Sequence, residues 1–148
     1  MLFSVSGESE RHRIQLYLAA RFVRYGWQDG DHFDSISGRV DRWETGQWYH
    51  IAVSVEDGVA QLFRDGEMIG SGTVGSKIGM PVSAPSQVKN ASHAYLGRLA
   101  DGRQGEDSAP QGFEGQMDDA RLYSGALTQE EIRRLFENAE REEADPDR

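Results

Sequence analysis

The chain has no cysteine, so disulfides and thiolate metal sites are excluded. No apolar run approaches the roughly 18 residues that a membrane-spanning helix needs. The first residues, Met1 to Gly7, lack both a basic start and a long apolar middle, so no signal peptide is expected in this chain. Basic charge is in deficit: 16 Lys and Arg stand against 25 Asp and Glu, a net charge of −9. Such a surface repels phosphate backbones, which argues against a nucleic-acid partner. Proline is scarce, at 4 residues, whereas glycine is abundant, at 17. Glycines spread among short apolar runs describe a turn-rich β protein. The 148 residues suffice for one domain with one core.

Alternating apolar positions predict strands over Leu2–Val5, Ile14–Leu18, Arg21–Trp27 and, more weakly, His32–Val40. The strongest predicted strand runs from Trp48 to Glu56, with Trp48 expected inside. Asp57-Gly58 and Asp65-Gly66 then supply tight turns, because both residue types tolerate positive φ. They divide Trp48–Gly72 into a three-stranded meander. Residues Thr73–Ser92 and Ala100–Gly112 read as long surface loops around a short strand at Ala94–Arg98, and loops of that length are often functional. Phe113–Tyr123 is the last predicted strand. Thr128 caps a helix with Glu131 three residues on, and Ile132, Leu135, Phe136 and Ala139 form its apolar stripe. One domain is expected over 1–139, with a charged, frayed tail over 140–148.

Three blocks in order resemble the laminin-G-like domains of the concanavalin A-like lectin/glucanase superfamily. They are Gly46-Gln47-Trp48-Tyr49-His50-Ile51-Ala52-Val53 with Leu62-Phe63-Arg64-Asp65-Gly66, then Tyr95-Leu96-Gly97-Arg98, then Phe113 to Tyr123 with Ala126-Leu127-Thr128 and Glu131-Ile132. The resemblance implies an all-β antiparallel jelly-roll sandwich with one short C-terminal helix. It also implies a non-catalytic module for carbohydrate or a protein surface, within a larger extracytoplasmic protein. Family members usually begin with further strands, one of them beside the closing strand. Without those strands a sheet edge stays unpaired, and a homodimer would cover it.

Candidate site residues follow. At period two, Asp118 shares a face with Ala120 and Leu122. If that face meets a core, the carboxylate needs hydrogen bonds or a cation. It then reads either as a calcium ligand, which the resemblance implies for some members, or as an acceptor of backbone N–H groups, the commoner fate of a buried acid. Trp27 and Trp43 flank a polar segment and are candidates for stacking on sugar rings, although rings on sheets more often pack in cores. Asp101 and Asp107 in the second long loop are candidate ligand contacts. His50 lacks a partner at metal-binding spacing and reads as a packed ring with one nitrogen bonded. The superfamily also contains glycoside hydrolases, but no strand carries the acids two residues apart that a carboxylate pair requires. No G-x-S-x-G elbow or phosphate loop is present.

Overall fold

The computed structural model describes residues 1–7, 12–29, 32–74, 91–97 and 112–144. Eight strands precede one helix: β1 (Phe3–Gly7), β2 (His12–Ala19), β3 (Phe22–Asp29), β4 (His32–Arg39), β5 (Ile51–Glu56), β6 (Val59–Arg64), β7 (Glu67–Thr73), β8 (Ala91–Leu96) and α1 (Gln129–Ala144). They build a five-stranded sheet in the order β4-β3-β2-β1-β8 and a three-stranded sheet in the order β5-β6-β7. Every pairing is antiparallel. The architecture is the two-sheet sandwich with one short C-terminal helix that the sequence implies.

The meander forms for the local reason anticipated. Asp57 and Gly58 have φ of 46° and 75°, and Asp65 and Gly66 have 52° and 76°. A left-handed pair at both turns matches the strand twist and closes a two-residue hairpin.

Register assigns each side chain to a face. Val23, Tyr25 and Trp27 of β3 stand opposite Leu18, Leu16 and Ile14 of β2, and so share one face. They pack with Ile36 and Val40 against Ala60 and Leu62 of the second sheet. This core is dry enough that burial pushes the Tyr25 phenol up to about 12. β4 and β7 close the sandwich along one flank. Gly38 and Gly70 permit it: a Cβ on Gly70 would lie 2.7 Å from the Ser37 carbonyl oxygen and 2.8 Å from the Gly38 Cα.

Among the described residues the opposite flank is less tightly closed. Ile14, Leu16 and Leu18 of β2 and Ile51, Val53 and Val55 of β5 are only half-buried. Phe63 and Ile132 are fully buried outside the main core cluster. Phe63 alternates with Leu62 and so faces away from the first sheet. α1 lies on that side, with Ile132 turned inward and the His50 ring 6.1 Å from Phe136. Thr128 and Glu131 form the expected capping box: Thr128 N and Oγ1 both donate to Glu131 Oε2 at 2.8 Å, and Glu131 N returns to Thr128 Oγ1 at 3.3 Å. The helix continues to Ala144, past residue 140, where the composition predicts fraying.

The expected last strand does not form. Residues 113–123 have no strand pairing, and Leu122 is 85% exposed. The segment leaves the end of β8, where Phe113 N donates to the Gly97 carbonyl at 2.8 Å. It reaches β5, where Ser54 Oγ donates to the Leu127 carbonyl at 2.7 Å. It therefore bridges the looser flank without pairing to either edge. Its alternation is correct for a strand, but a strand needs backbone pairing to a neighbour, and none forms among the described residues.

Candidate binding face

The outward face of the five-stranded sheet is assembled by register alone. One row across the strands reads Tyr95, Ser4, Gln15, Gly26 and Ser35. The next reads His93, Ser6, Arg13, Gln28 and Phe33, and a third brings Tyr17, Arg24 and Ser37 together. Hydrogen-bonding groups thus occupy the middle and aromatic rings the margins. The His93 and Tyr95 rings lie parallel, 6.1 Å apart. On the other side the exposed Phe33 ring lies over Gly26, where a Cβ would approach it to 2.9 Å.

Ser4 and Ser6 are buried although they face away from the core, so taller neighbours rise over this floor. Gln15 is only 6% exposed, and its Oε1 has no hydrogen-bond partner among the described residues. Arg24 Nε is likewise buried without a hydrogen bond among them, while its guanidinium rests 5.4 Å from the Phe22 ring centre. A buried polar atom left unmatched costs about 1–3 kcal/mol, so a polar ligand would gain at these atoms once the side chains covering them turn aside. Beside β4 the face continues into a cavity of about 290 Å³ lined by Asp34, Ser35, Ser37, Ser71 and Thr73. Taken singly along the sequence, these residues read as a solvated sheet face, and their grouping does not show.

Asp34 also supplies a buried acid of the kind expected at Asp118. It is 5% exposed, and it pairs in register with Trp27 on the inner face. Its Oδ1 accepts the Ser35 N–H at 2.7 Å. The signal is present in the sequence, since Asp34 alternates with Ile36 as Asp118 does with Ala120.

Asp118 itself is exposed, and its Oδ1 accepts the Asp119 N–H at 2.8 Å. The neighbouring Asp119 carboxylate is turned to Arg121 Nε, 2.6 Å away. Among the described residues, one free carboxylate with a guanidinium beside it does not make up the six to eight oxygens that a calcium ion takes. Among the described residues no three metal-ligating side chains converge. Asp101 and Asp107 lie outside the described residues, as do most of the two long loops.

Trp27 cannot stack on a ligand: it is 2% exposed and belongs to the core. Its alternation with Tyr25 and Val23 sends it inward. Trp48 departs from expectation in the reverse sense, being 47% exposed and outside β5. Trp43 is half-buried, and its indole N–H donates to the Ala20 carbonyl at 2.9 Å. Arg64 lies over both Trp43, at 5.1 Å, and Tyr49, at 4.3 Å. Tyr49 and Arg64 line a larger cavity, about 420 Å³ between Asp41 and Asp65, most of whose polar groups bond within the chain. Arg64 bonds Asp65 at 3.1 Å and the Arg42 carbonyl at 3.3 Å, and Asp65 accepts the His50 N–H at 2.9 Å. The cluster latches the β4–β5 connection rather than offering free groups. The His50 ring is packed as expected, but its Nδ1 is buried without a partner among the described residues. Burial holds its imidazole below 6.5, against the opposing pull of Asp65 and Asp119.

A laminin-G family model, described as concanavalin A-like lectin/glucanases superfamily, matches residues 1–133. The chain belongs to this family. Among solved structures it is similar to an S-layer domain-containing protein, residues 221–444, from Clostridium thermocellum. The likeness has 20% identity and a TM-score of 0.49, and covers 90% of this chain and 60% of that one. No curated protein matches the chain. This laminin-G-like domain is a binding or structural module by family, and among the described residues no helix is long and apolar enough to cross a membrane.

Proposed function

We propose that this laminin-G-like domain is a non-catalytic module that binds carbohydrate on the outward face of its five-stranded sheet, within a larger extracytoplasmic protein. The observation that carries the reading is the Gln15 Oε1 acceptor, buried and unmatched on a floor of hydroxyls bordered by Tyr95, His93 and Phe33. Sugars present hydroxyls in the plane of the ring and C–H groups on its faces. A floor of donors and acceptors with rings at its margins meets both. The acidic balance favours a neutral or cationic glycan over a polyanionic one.

A glycan array followed by titration calorimetry tests this. Tyr95→Ala and Phe33→Ala should each weaken binding by about fivefold, near 1 kcal/mol per ring contact, with far-UV spectra unchanged. Gln15→Leu should weaken it further, because the acceptor is removed. No glycan binding at millimolar concentration, or binding indifferent to all three substitutions, would refute the face as the site.

A further inference from the structure

Among the described residues β5 is an edge strand. It pairs with β6 on one side and with no described strand on the other. Its sequence, Ile51-Ala52-Val53-Ser54-Val55-Glu56, contains no proline or lysine, and its ladder with β6 has no bulge. Exposed edges of this kind are templates for another strand.

The direction of its backbone groups follows from one hydrogen bond. Asp65 N donates to the His50 carbonyl at 2.9 Å. Antiparallel alternation then turns the N–H and C=O of His50, Ala52, Ser54 and Glu56 toward β6 and those of Ile51, Val53 and Val55 outward. The three outward residues carry the half-buried apolar side chains of the looser flank.

We propose that this edge pairs with the same edge of a second copy of the chain, about a two-fold axis through Val53. In that register Val53 meets Val53 of the second copy, and Ile51 meets its Val55. Each of these pairs joins outward-pointing groups, giving about six inter-chain hydrogen bonds. Apolar side chains stand opposite apolar ones on the inner face, and Ala52 stands opposite Ser54 on the other, so both faces run on without a slip. The same register sets the exposed Glu56 of each copy beside His50 of the other. A six-residue strand thus complements itself in backbone direction and face, as an isologous contact must.

Sedimentation of the full chain from micromolar to submillimolar concentration reads the outcome. The expected mass at the upper end is twice the 16.5 kDa of one chain. Amide exchange should slow at Ile51, Val53 and Val55 as concentration rises. Val53→Pro removes an outward donor while leaving the β6 ladder intact, and should give a monomer with an unchanged far-UV spectrum. Should that variant fail to fold, the exposed Glu56→Lys serves instead and should weaken dimerisation at least tenfold. A monomer at every concentration overturns the proposal. So does a dimer indifferent to both substitutions, which would use another surface. Protection of the three amides that is independent of concentration also overturns it, since residues 113–123 of the same chain would then cover the edge.

Discussion

Gly70→Ala tests the closed flank of the sandwich. The added methyl carbon would lie 2.7 Å from the Ser37 carbonyl oxygen, 2.8 Å from the Gly38 Cα and 3.2 Å from the Gly38 N. All three are backbone atoms of β4, so no rotamer change relieves the contact and the strands must separate. Gly38→Ala differs, because its nearest neighbours are side-chain atoms of Ile69, at 2.6 and 2.8 Å. Overpacking of this kind costs about 1–3 kcal/mol. The reduced freedom of the unfolded chain returns about 0.4–1 kcal/mol, so a net loss remains. For a chain of this length that is a fall of roughly 2–10 °C in Tm. Gly112 is the control, since a methyl group added there would meet nothing within 4 Å. Its alanine variant should stay within about 0.5 kcal/mol of wild type. Urea unfolding followed by circular dichroism measures all three. A Gly70→Ala variant as stable as the Gly112 control would refute the close approach of β4 and β7.

His50 makes stability depend on pH. Its folded pKa is depressed by burial below the unfolded value of 6.5, so the stabilisation is present above 6.5 and is lost as pH falls through the folded value. Tm should therefore drop on acidification from about pH 8 to about pH 5, and less so in His50→Gln, as thermal melts at both ends will show. Phe63→Ala should cost about 3–5 kcal/mol in the same urea assay, because its ring is fully buried. Thr128→Ala removes the cap of α1 and should cost about 1 kcal/mol, with lower helicity by circular dichroism. Chelator should leave Tm unchanged, since Asp118 and Asp119 do not gather a calcium donor set. A fall abolished by Asp118→Ala would return a metal to that position.

The parts of the fold legible in the sequence are those set by local chemistry. The turns at Asp57-Gly58 and Asp65-Gly66 follow from residues that accept positive φ, and the capping box at Thr128 from two side chains three residues apart. The closing segment misleads because alternation specifies a side-chain pattern, whereas a strand also requires a free edge at hydrogen-bonding distance. Trp27 takes the commoner place of a ring on a sheet, the core, because its parity with Val23 and Tyr25 outweighs the polar residues that flank it, whereas Trp48 is exposed rather than inside. The candidate face is illegible because Ser4, Gln15, Gly26, Ser35 and Tyr95 come from five strands. Only the register between strands puts them in one row, and no single segment encodes it.

The uneven seal of the interior gives the domain a preferred direction of failure. Water already touches the side chains of β2 and β5, while Val23, Ala60 and Leu62 are excluded from it altogether. Opening will start at the wetted side and travel toward the glycine-lined hinge, leaving β3, β4, β6 and β7 as the last strands to part. Engineering aimed at the hinge would harden what already fails last; a longer-lived domain needs its loose side closed.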